Sequence, residues 1–401
     1  MKDGMRRCCD AALALMLALP LLLAVPALSV AQSPGASEVL PTPTPAPGMV
    51  PPAMAAPDGA APAVRSTPDP ATPADGKAAA APPPAPPWLA LMLPLRSSTY
   101  GRAADAVKEG FSAAATAASV RFEVVAHGDG DGRAALDAAS ASGARVIVGP
   151  LVRDDVKALA GVGRDVPWII ALNQLDDGNP LPVRVYTLAL AIDGEARQLA
   201  RRARGNGAQS VVVISSDSAL QKRFADAFVG EWILAGGGPP LTLHFDRAPE
   251  LLVVLRREFA RAAPSAVLLA VDAQDAALVK PYLGSVPAYA SSQVYDRQPP
   301  GDLLELDNVV FVEIPWLADP GAAAFNQVAR REYPSAAFDR LYALGVDAFR
   351  VAQAFKDGTP PEKLEFDGAT GHLTLDPSRQ FVREATLLQF RAGQIVPAGS
   401  R

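Results

Sequence analysis

Cysteine is almost missing from this 401-residue chain: Cys8 and Cys9 sit side by side near the N-terminus, and no other occurs. Both precede an apolar run from Ala11 to Val25, and the basic residues Lys2, Arg6 and Arg7 flank it. With small residues at Ser29-Val-Ala31, residues 1–31 read as an export signal cleaved after Ala31. Cleavage there leaves a chain with no cysteine, which excludes disulfides, thiolate nucleophiles and cysteine metal sites together. A lipid-attachment cysteine would have to follow the apolar run, so neither cysteine can serve as one. An uncleaved segment is the alternative, though Pro20 and Pro26 interrupt it as a spanning helix.

Histidine is scarce as well. His127, His244 and His372 are far apart and form no close ligand pair of the kind zinc sites use, so each reads as a surface or hydrogen-bonded polar residue. Neither a G-x-S-x-G elbow nor a phosphate-binding P-loop occurs. No catalytic residue, cofactor or metal is expected, and the chain reads as non-enzymatic. An excess of basic charge is lacking too, since the net charge is −5. Nucleic acid, which would need a basic face, is not an expected partner.

What the chain has in quantity is proline, 39 in all. Residues 32–87 hold 17 prolines and 15 alanines in 56 positions and show no apolar period to bury. The composition predicts a disordered linker with polyproline II bias. From Trp88 onward, short β-rich runs alternate with helical patterns: Trp88–Leu93, Val120–Val125, Arg145–Gly149 and Val166–Ala171 as strands, with helices between them. A second series begins after Val183–Leu190, with Ser210–Ile214, Leu241–Phe245 and Ala266–Val271 as strands. Such repetition gives parallel sheets flanked by helices, and two series of about 100 residues suggest two lobes. The expected limits are 88–190 with 293–378 for the first lobe, and 191–292 with 379–401 for the second. On this reading Val309–Glu313 carries the chain back to the first lobe.

Ligands in such folds sit at the carboxyl ends of parallel strands. Those ends carry Arg96, Asn173, Gln174, Ser215, Asp272, Ser291 and Ser292, which are the candidate cleft residues. The same residue types favour loops and helix caps, so each has an ordinary structural reading beside the functional one. His127-Gly-Asp-Gly-Asp-Gly-Arg133 resembles a calcium loop in its first aspartates only. The twelfth position counted from Asp129 is Ser140 where a glutamate is required, and the stretch reads as a tight turn. Leu341, Leu344, Ala348, Val351, Ala352 and Phe355 form a core stripe on a helix over 341–356, whose Asp347 and Arg350 are placed to pair on its surface.

The order of that helix, the turn Phe366-Asp-Gly-Ala-Thr-Gly371 and the closing Leu387-Leu-Gln-Phe390 resembles the end of type I periplasmic binding proteins. The implied fold is α/β and two-lobed, each lobe a parallel sheet flanked by helices. Val148-Gly-Pro-Leu151, Ala171-Leu-Asn-Gln174, Glu313-Ile-Pro-Trp316, Leu341–Asp347, Asp367–Leu373 and Gly393–Pro397 follow one another in an order that narrows the family. Over roughly 89–397 the chain resembles the C-terminal domain of LpoA-type penicillin-binding-protein activators. This resemblance implies a periplasmic, non-enzymatic regulator that docks on a class A penicillin-binding protein and stimulates peptidoglycan crosslinking. Members best known for this role are outer-membrane lipoproteins with an N-terminal helical-repeat domain; here the lipid cysteine is missing and a proline–alanine linker occupies that place. The expected location is therefore the periplasm, with membrane contact only through an uncleaved signal segment. A second reading is a solute receptor holding a small ligand such as an amino acid between the lobes, with Asp272 as the acid for its ammonium group.

Overall fold

The computed structural model describes residues 87–175, 180–296 and 303–399. The expected signal (1–31) and all but the last residue of the expected linker (32–87) lie outside the described residues. In chain order the first series is β1 (Leu89–Leu93), α1 (Gly101–Ala117), β2 (Glu123–Ala126), α2 (Gly132–Ala141), β3 (Val146–Val148), α3 (Arg153–Lys157), β4 (Trp168–Ala171) and β5 (Val185–Leu188). The second is α4 (Ile192–Gly205), β6 (Val211–Ser215), α5 (Ala219–Leu234), β7 (Leu241–His244), α6 (Pro249–Ala262), β8 (Ala266–Ala270), α7 (Ala273–Val279), β9 (Ala288–Ala290) and β10 (Val309–Glu313). The chain closes with α8 (Pro315–Ala318), α9 (Ala336–Gln353), β11 (Glu365–Asp367), β12 (His372–Leu375), β13 (Gln380–Glu384), β14 (Thr386–Arg391) and β15 (Gln394–Pro397).

Among the described residues these strands form two sheets, ordered β11-β12-β13-β5-β4-β3-β1-β2 and β15-β14-β10-β9-β8-β6-β7. Pairing is parallel from β13 to β2 and from β10 to β7, while the β11–β12–β13 and β10–β14–β15 pairs run antiparallel. Each sheet is buried on both faces, which is why its central strands are unbroken apolar runs. Every residue of β1 is buried. Leu89, Leu91 and Leu93 enter the cluster shared with α1 and α9, and Ala90 and Met92 enter the one shared with α2. The period of two along a strand divides the residues between the faces.

The chain passes between the sheets after β5, after β10 and after β13. Strand Val309–Glu313 therefore belongs to the second sheet, not to the first lobe as expected, and Gln380–Glu384 belongs to the first sheet rather than the second. Apolar periodicity identifies a strand without saying which sheet will pair with it. That choice is made by tertiary register, here Val309–Phe311 beside Ala288–Ala290 and Val310–Glu313 opposite Thr386–Gln389.

Helices α1 and α9 cross at glycines. A Cβ at Gly110 would stand 1.9 Å from the Tyr342 carbonyl oxygen, and one at Gly345 would stand 2.0 Å from that of Val107. Backbone lies on backbone at this crossing, and the Phe111 and Phe349 rings meet edge to face 5.4 Å apart beside it. Of the expected stripe, Leu344, Ala348, Val351, Ala352 and Phe355 are buried, whereas Leu341 is only half-buried. The surface pair between Asp347 and Arg350 is not made. Asp347 is fully buried and accepts the Ala369 and Thr370 N–H groups and the Thr370 hydroxyl at 2.7–2.8 Å. Arg350 instead donates to the Asp367 and Ala324 carbonyls. Asp347 thereby organises the glycine-rich turn, and Gly368 is needed because a Cβ there would meet its carboxylate at 2.6 Å.

Two outcomes are expected. Gly345→Ala gains helix propensity of about 1 kcal/mol but drives a methyl into the α1 backbone, so unfolding stability falls by about 1–3 kcal/mol or more. Gly230→Ala in α5, where nothing lies within 4 Å, is unchanged or stabilised by about 0.4–1 kcal/mol in the same urea titration. The second outcome concerns His372 on β12, whose Nδ1 lies 2.8 Å from Asp367 Oδ1 and whose Nε2 lies 2.9 Å from Glu365 Oε1. Hydrogen bonds to Asp367 and then Glu365 raise its pKa above 6.5. The stability it lends is complete below pH 6.5 and is lost as the pH rises through the folded value. A ring-proton NMR titration should give a midpoint above 6.5 that falls back in Asp367→Asn/Glu365→Gln.

Candidate functional site

The seam between the lobes is built from charges that long apolar elements carry into the interior. Glu313 ends β10 and is 1% exposed, and Arg340 lies in the second turn of α9 at 7%. Arg340 Nε donates to Glu313 Oε1 at 3.0 Å and Nη2 to Oε2 at 2.6 Å, a two-pronged pair. Nη2 also reaches the carbonyls of Ser292 at 2.8 Å and Tyr295 at 3.2 Å. Burial opposes the charge on Arg340, but Glu313 overrides it and holds the guanidinium pKa above its ordinary value. Burial likewise pushes the Glu313 carboxyl up, against the pull of Arg340 and the Ile314 N–H.

A second carboxylate repeats the theme. Glu195 of α4 accepts the Ser292 N–H and hydroxyl at 3.0 Å each, and Arg383 of β13 approaches it at 3.4 Å. Arg383 also donates to the Thr370 carbonyl in the turn that Asp347 organises. Asp193 of α4 receives the Arg223 guanidinium at 2.9 and 2.5 Å, and Gln174 from the first lobe at 3.1 Å. Gln198 exchanges two hydrogen bonds with the backbone of Ala385, at the crossing between β13 and β14. Asp296 accepts the Ala336 N–H at 2.8 Å and so caps α9 from the opposite lobe. Each crossing of the chain is thus tied across the seam.

Only some of the residues expected from sequence meet here. Asp272 lines a cavity of 290 Å³ with Gln293, Asp296, Ser335 and Arg340. Asp272 also caps α7 by accepting the Asp275 N–H, and lies 3.8 Å from Arg247. Ser291 is buried and accepts the Gln293 N–H, while Ser292 serves Glu195. Asn173 donates to the Leu151 carbonyl in the loop after β3 and accepts the Gln174 N–H, so it ties two loops together. Gln174 lines a separate, smaller cavity. Ser215 bonds the neighbouring Ser216 carbonyl, and exposed Arg96 joins the loop after β2 through its N–H to His127. His127, expected at the surface or hydrogen-bonded, is 1% exposed; Nδ1 meets the Gly128 carbonyl, and Nε2 has no partner among the described residues.

Sequence reasoning missed Glu313, Arg340, Glu195 and Arg383. A signal was present for two of them: Glu313 ends the apolar run Val309-Val-Phe-Val, and Arg340 sits in the largely apolar helix α9, whereas Glu195 and Arg383 lie in polar surroundings in the sequence. A buried charge without a partner is too costly to persist, so such residues announce a partner elsewhere in the chain.

Removing one partner should expose that cost. Arg340→Ala leaves Glu313 buried and unpaired, and stability in a urea titration falls by about 3–5 kcal/mol. Arg340→Met/Glu313→Leu, which removes both charges and keeps the volume, should lose less than Arg340→Ala alone. A double variant as unstable as the sum of the two singles would mean that the two charges are not coupled.

Known proteins can be set beside this geometry. The family model for the LppC putative lipoprotein matches residues 85–257 and 253–393. The penicillin-binding protein activator LpoA of Shigella flexneri is 28% identical over 301 residues, covering 64% of this chain and 44% of that protein. Its counterpart in Escherichia coli K12 is 28% identical over 300 residues, with the same shares. This chain therefore spans less than half the length of the curated relatives it matches. Among solved structures, a putative branched-chain amino acid ABC transporter protein from Chromobacterium violaceum is 33% identical, covers 75% of this chain and 98% of its own, and gives a TM-score of 0.65. The LpoA C-domain from Haemophilus influenzae, described as a regulator of PBP1A, is 20% identical, covers 77% and 99%, and gives 0.67. The fold is that of the type I periplasmic binding proteins, and by the extent of the family match the chain belongs to the LppC putative lipoprotein family.

Proposed function

We propose that this chain is a non-enzymatic regulator that docks on a class A penicillin-binding protein and stimulates peptidoglycan crosslinking. Its similarity to proteins named as activators of such synthases supports the reading, and the matched portion is the one the Haemophilus influenzae C-domain represents. The observation that carries it is the seam itself. Arg340, the cleft cation best placed to grip a ligand carboxylate, commits Nε and Nη2 to Glu313, Ser292 and Tyr295. A domain whose interlobe charges satisfy one another offers its outer surface to a partner rather than its interior to a solute. Export through residues 1–31 and a linker over 32–87 would place the folded part in the periplasm, with membrane contact only through an uncleaved signal.

A second reading rests on a specific similarity, the 33% identity to the Chromobacterium violaceum protein. The 290 Å³ cavity beside Asp272 and Asp296 has room for a small amine-bearing solute. Both carboxylates there already serve as helix caps, so a ligand would compete with α7 and α9 for them.

Crosslinking assays separate the two. The purified chain should raise the crosslinking rate of a class A synthase from the same cell and co-purify with it. Amino acids and wall fragments should leave its melting temperature unchanged. Neither binding nor stimulation with any class A synthase, together with a saturable rise in melting temperature on adding one amino acid, would establish the receptor instead.

A further inference from the structure

A sheet edge exposes backbone donors and acceptors that another strand could pair, and folded chains usually guard it. The two sheets end in β2, β11, β15 and β7 among the described residues. Three of these edges are guarded: β2 carries Glu123, β11 carries Glu365 and Asp367, and β15 ends in Pro397. Charge and proline both oppose the addition of a further strand. β7, Leu241-Thr-Leu-His244, has no carboxylate, lysine or proline.

Local geometry identifies the open groups. The Phe245 N–H donates to the Ser215 carbonyl, and backbone groups alternate in direction along a strand, so Leu241 and Leu243 also face β6. The N–H and C=O groups of Thr242 and His244 therefore point away from the sheet. Both residues are exposed, and both line a 280 Å³ groove between β7 and α5, with Lys222, Asp226 and Val229 on the helix side. Half of the large apolar side chains exposed among the described residues lie on α5, β7 and α6. Ile233, Leu234, Leu241, Val253 and Val254 are among them, and Leu234 is 83% exposed.

We infer that β7 is the seat of a homodimer, in which β7 of a second copy pairs with it antiparallel about a two-fold axis through Leu243. That register is self-complementary. Thr242 exchanges both its backbone hydrogen bonds with His244 of the second copy, and His244 does so with Thr242 of the second copy. Pro240, which has no N–H, ends the ladder on either side. A lasting interface buries about 800 Å² from each partner, more than so short a ladder covers. The exposed apolar side chains of α5 and α6 supply the remainder, because the axis sets each helix beside its own copy, running antiparallel. Lys222 and Asp226, opposite in sign and one turn apart, suit that arrangement, since an antiparallel copy offers each the other sign. Asp226 is exposed and has no ion-pair partner of its own among the described residues. The inference does not rest on the docking of a synthase.

The test is sedimentation velocity of the purified full chain at rising concentrations into the high micromolar range. The native chain should pass from monomer to dimer. Thr242→Pro removes an N–H that bonds the second copy but none that bonds β6, and should raise the dimer dissociation constant about tenfold or more. Thr242→Lys keeps the backbone intact and puts a charge on the edge, with the same expected effect. A urea titration of each variant shows that the monomer still folds. A native chain that stays monomeric throughout overturns the inference, and so does a dimer that Thr242→Lys leaves as tight as before. If the native chain is monomeric but co-purifies with a class A synthase, and Thr242→Lys loses that synthase, the edge belongs to the synthase instead. A dimer that Thr242→Lys weakens, in a chain that neither binds nor stimulates a synthase, upholds the inference while the regulator role falls.

Discussion

The two-pronged contact between Arg340 and Glu313 is the constraint on which the arrangement of this molecule turns. One partner belongs to the helix that packs on the first sheet, and the other ends a central strand of the second. Neither charge could remain in the interior alone, because desolvating a single ion costs several kcal/mol that only a close, well-oriented partner offsets. Folding of each lobe thus has a stake in the position of the other. Glu195 with Ser292 and Arg383, and Asp193 with Gln174 and Arg223, extend the same dependence along the seam. Such pairs add little net stability over apolar packing. What they contribute is specificity of arrangement, since a shifted lobe would leave several buried charges unmatched.

Around that seam the rest of the architecture is conventional packing. Apolar strands sit between helical layers, and the closest approach, at Gly110 and Gly345, lets α1 and α9 meet backbone to backbone. This crossing sets where α9 lies, and hence where Arg340 emerges relative to Glu313. Asp347, two residues beyond Gly345, fixes the turn at 368–370, whose Thr370 carbonyl in turn receives Arg383. A chain of contacts therefore runs from the helix crossing to the glycine-rich turn and on to Glu195.

Much of the fold was legible in the residues themselves. Runs such as Leu89–Leu93 and Ala266–Ala270 are short, unbroken apolar stretches of the length of buried strands, and their alternation with helical stripes pointed to parallel sheets in two lobes. The sheet to which Val309–Glu313 belongs was not legible, because strand partners are chosen by contacts far apart in sequence. Asp347 and Arg350 show a related limit: their spacing suits a surface pair, yet Asp347 faces inward and finds the backbone of a turn 22 residues away. The candidate site was legible only in part. Ser292 and Asp272 stand at the seam, but mainly as a partner for Glu195 and a helix cap. Polar residues do stand at the strand ends, but Arg96 and Ser215 lie away from the seam, and what Ser292 does there depends on long side chains arriving from α4, α9 and β13.

A docking module held by internal charge pairs differs physically from a solute receptor in one respect, the freedom of its lobes to open and close. The most direct measurement is the distance between spin labels in the two lobes, at Asp137 on α2 and Arg257 on α6, in a chain whose Cys8 and Cys9 have been replaced. One narrow distance distribution is expected, and amino acids should leave it unchanged. A broad or two-peaked distribution that collapses to a shorter distance on adding an amino acid would contradict it.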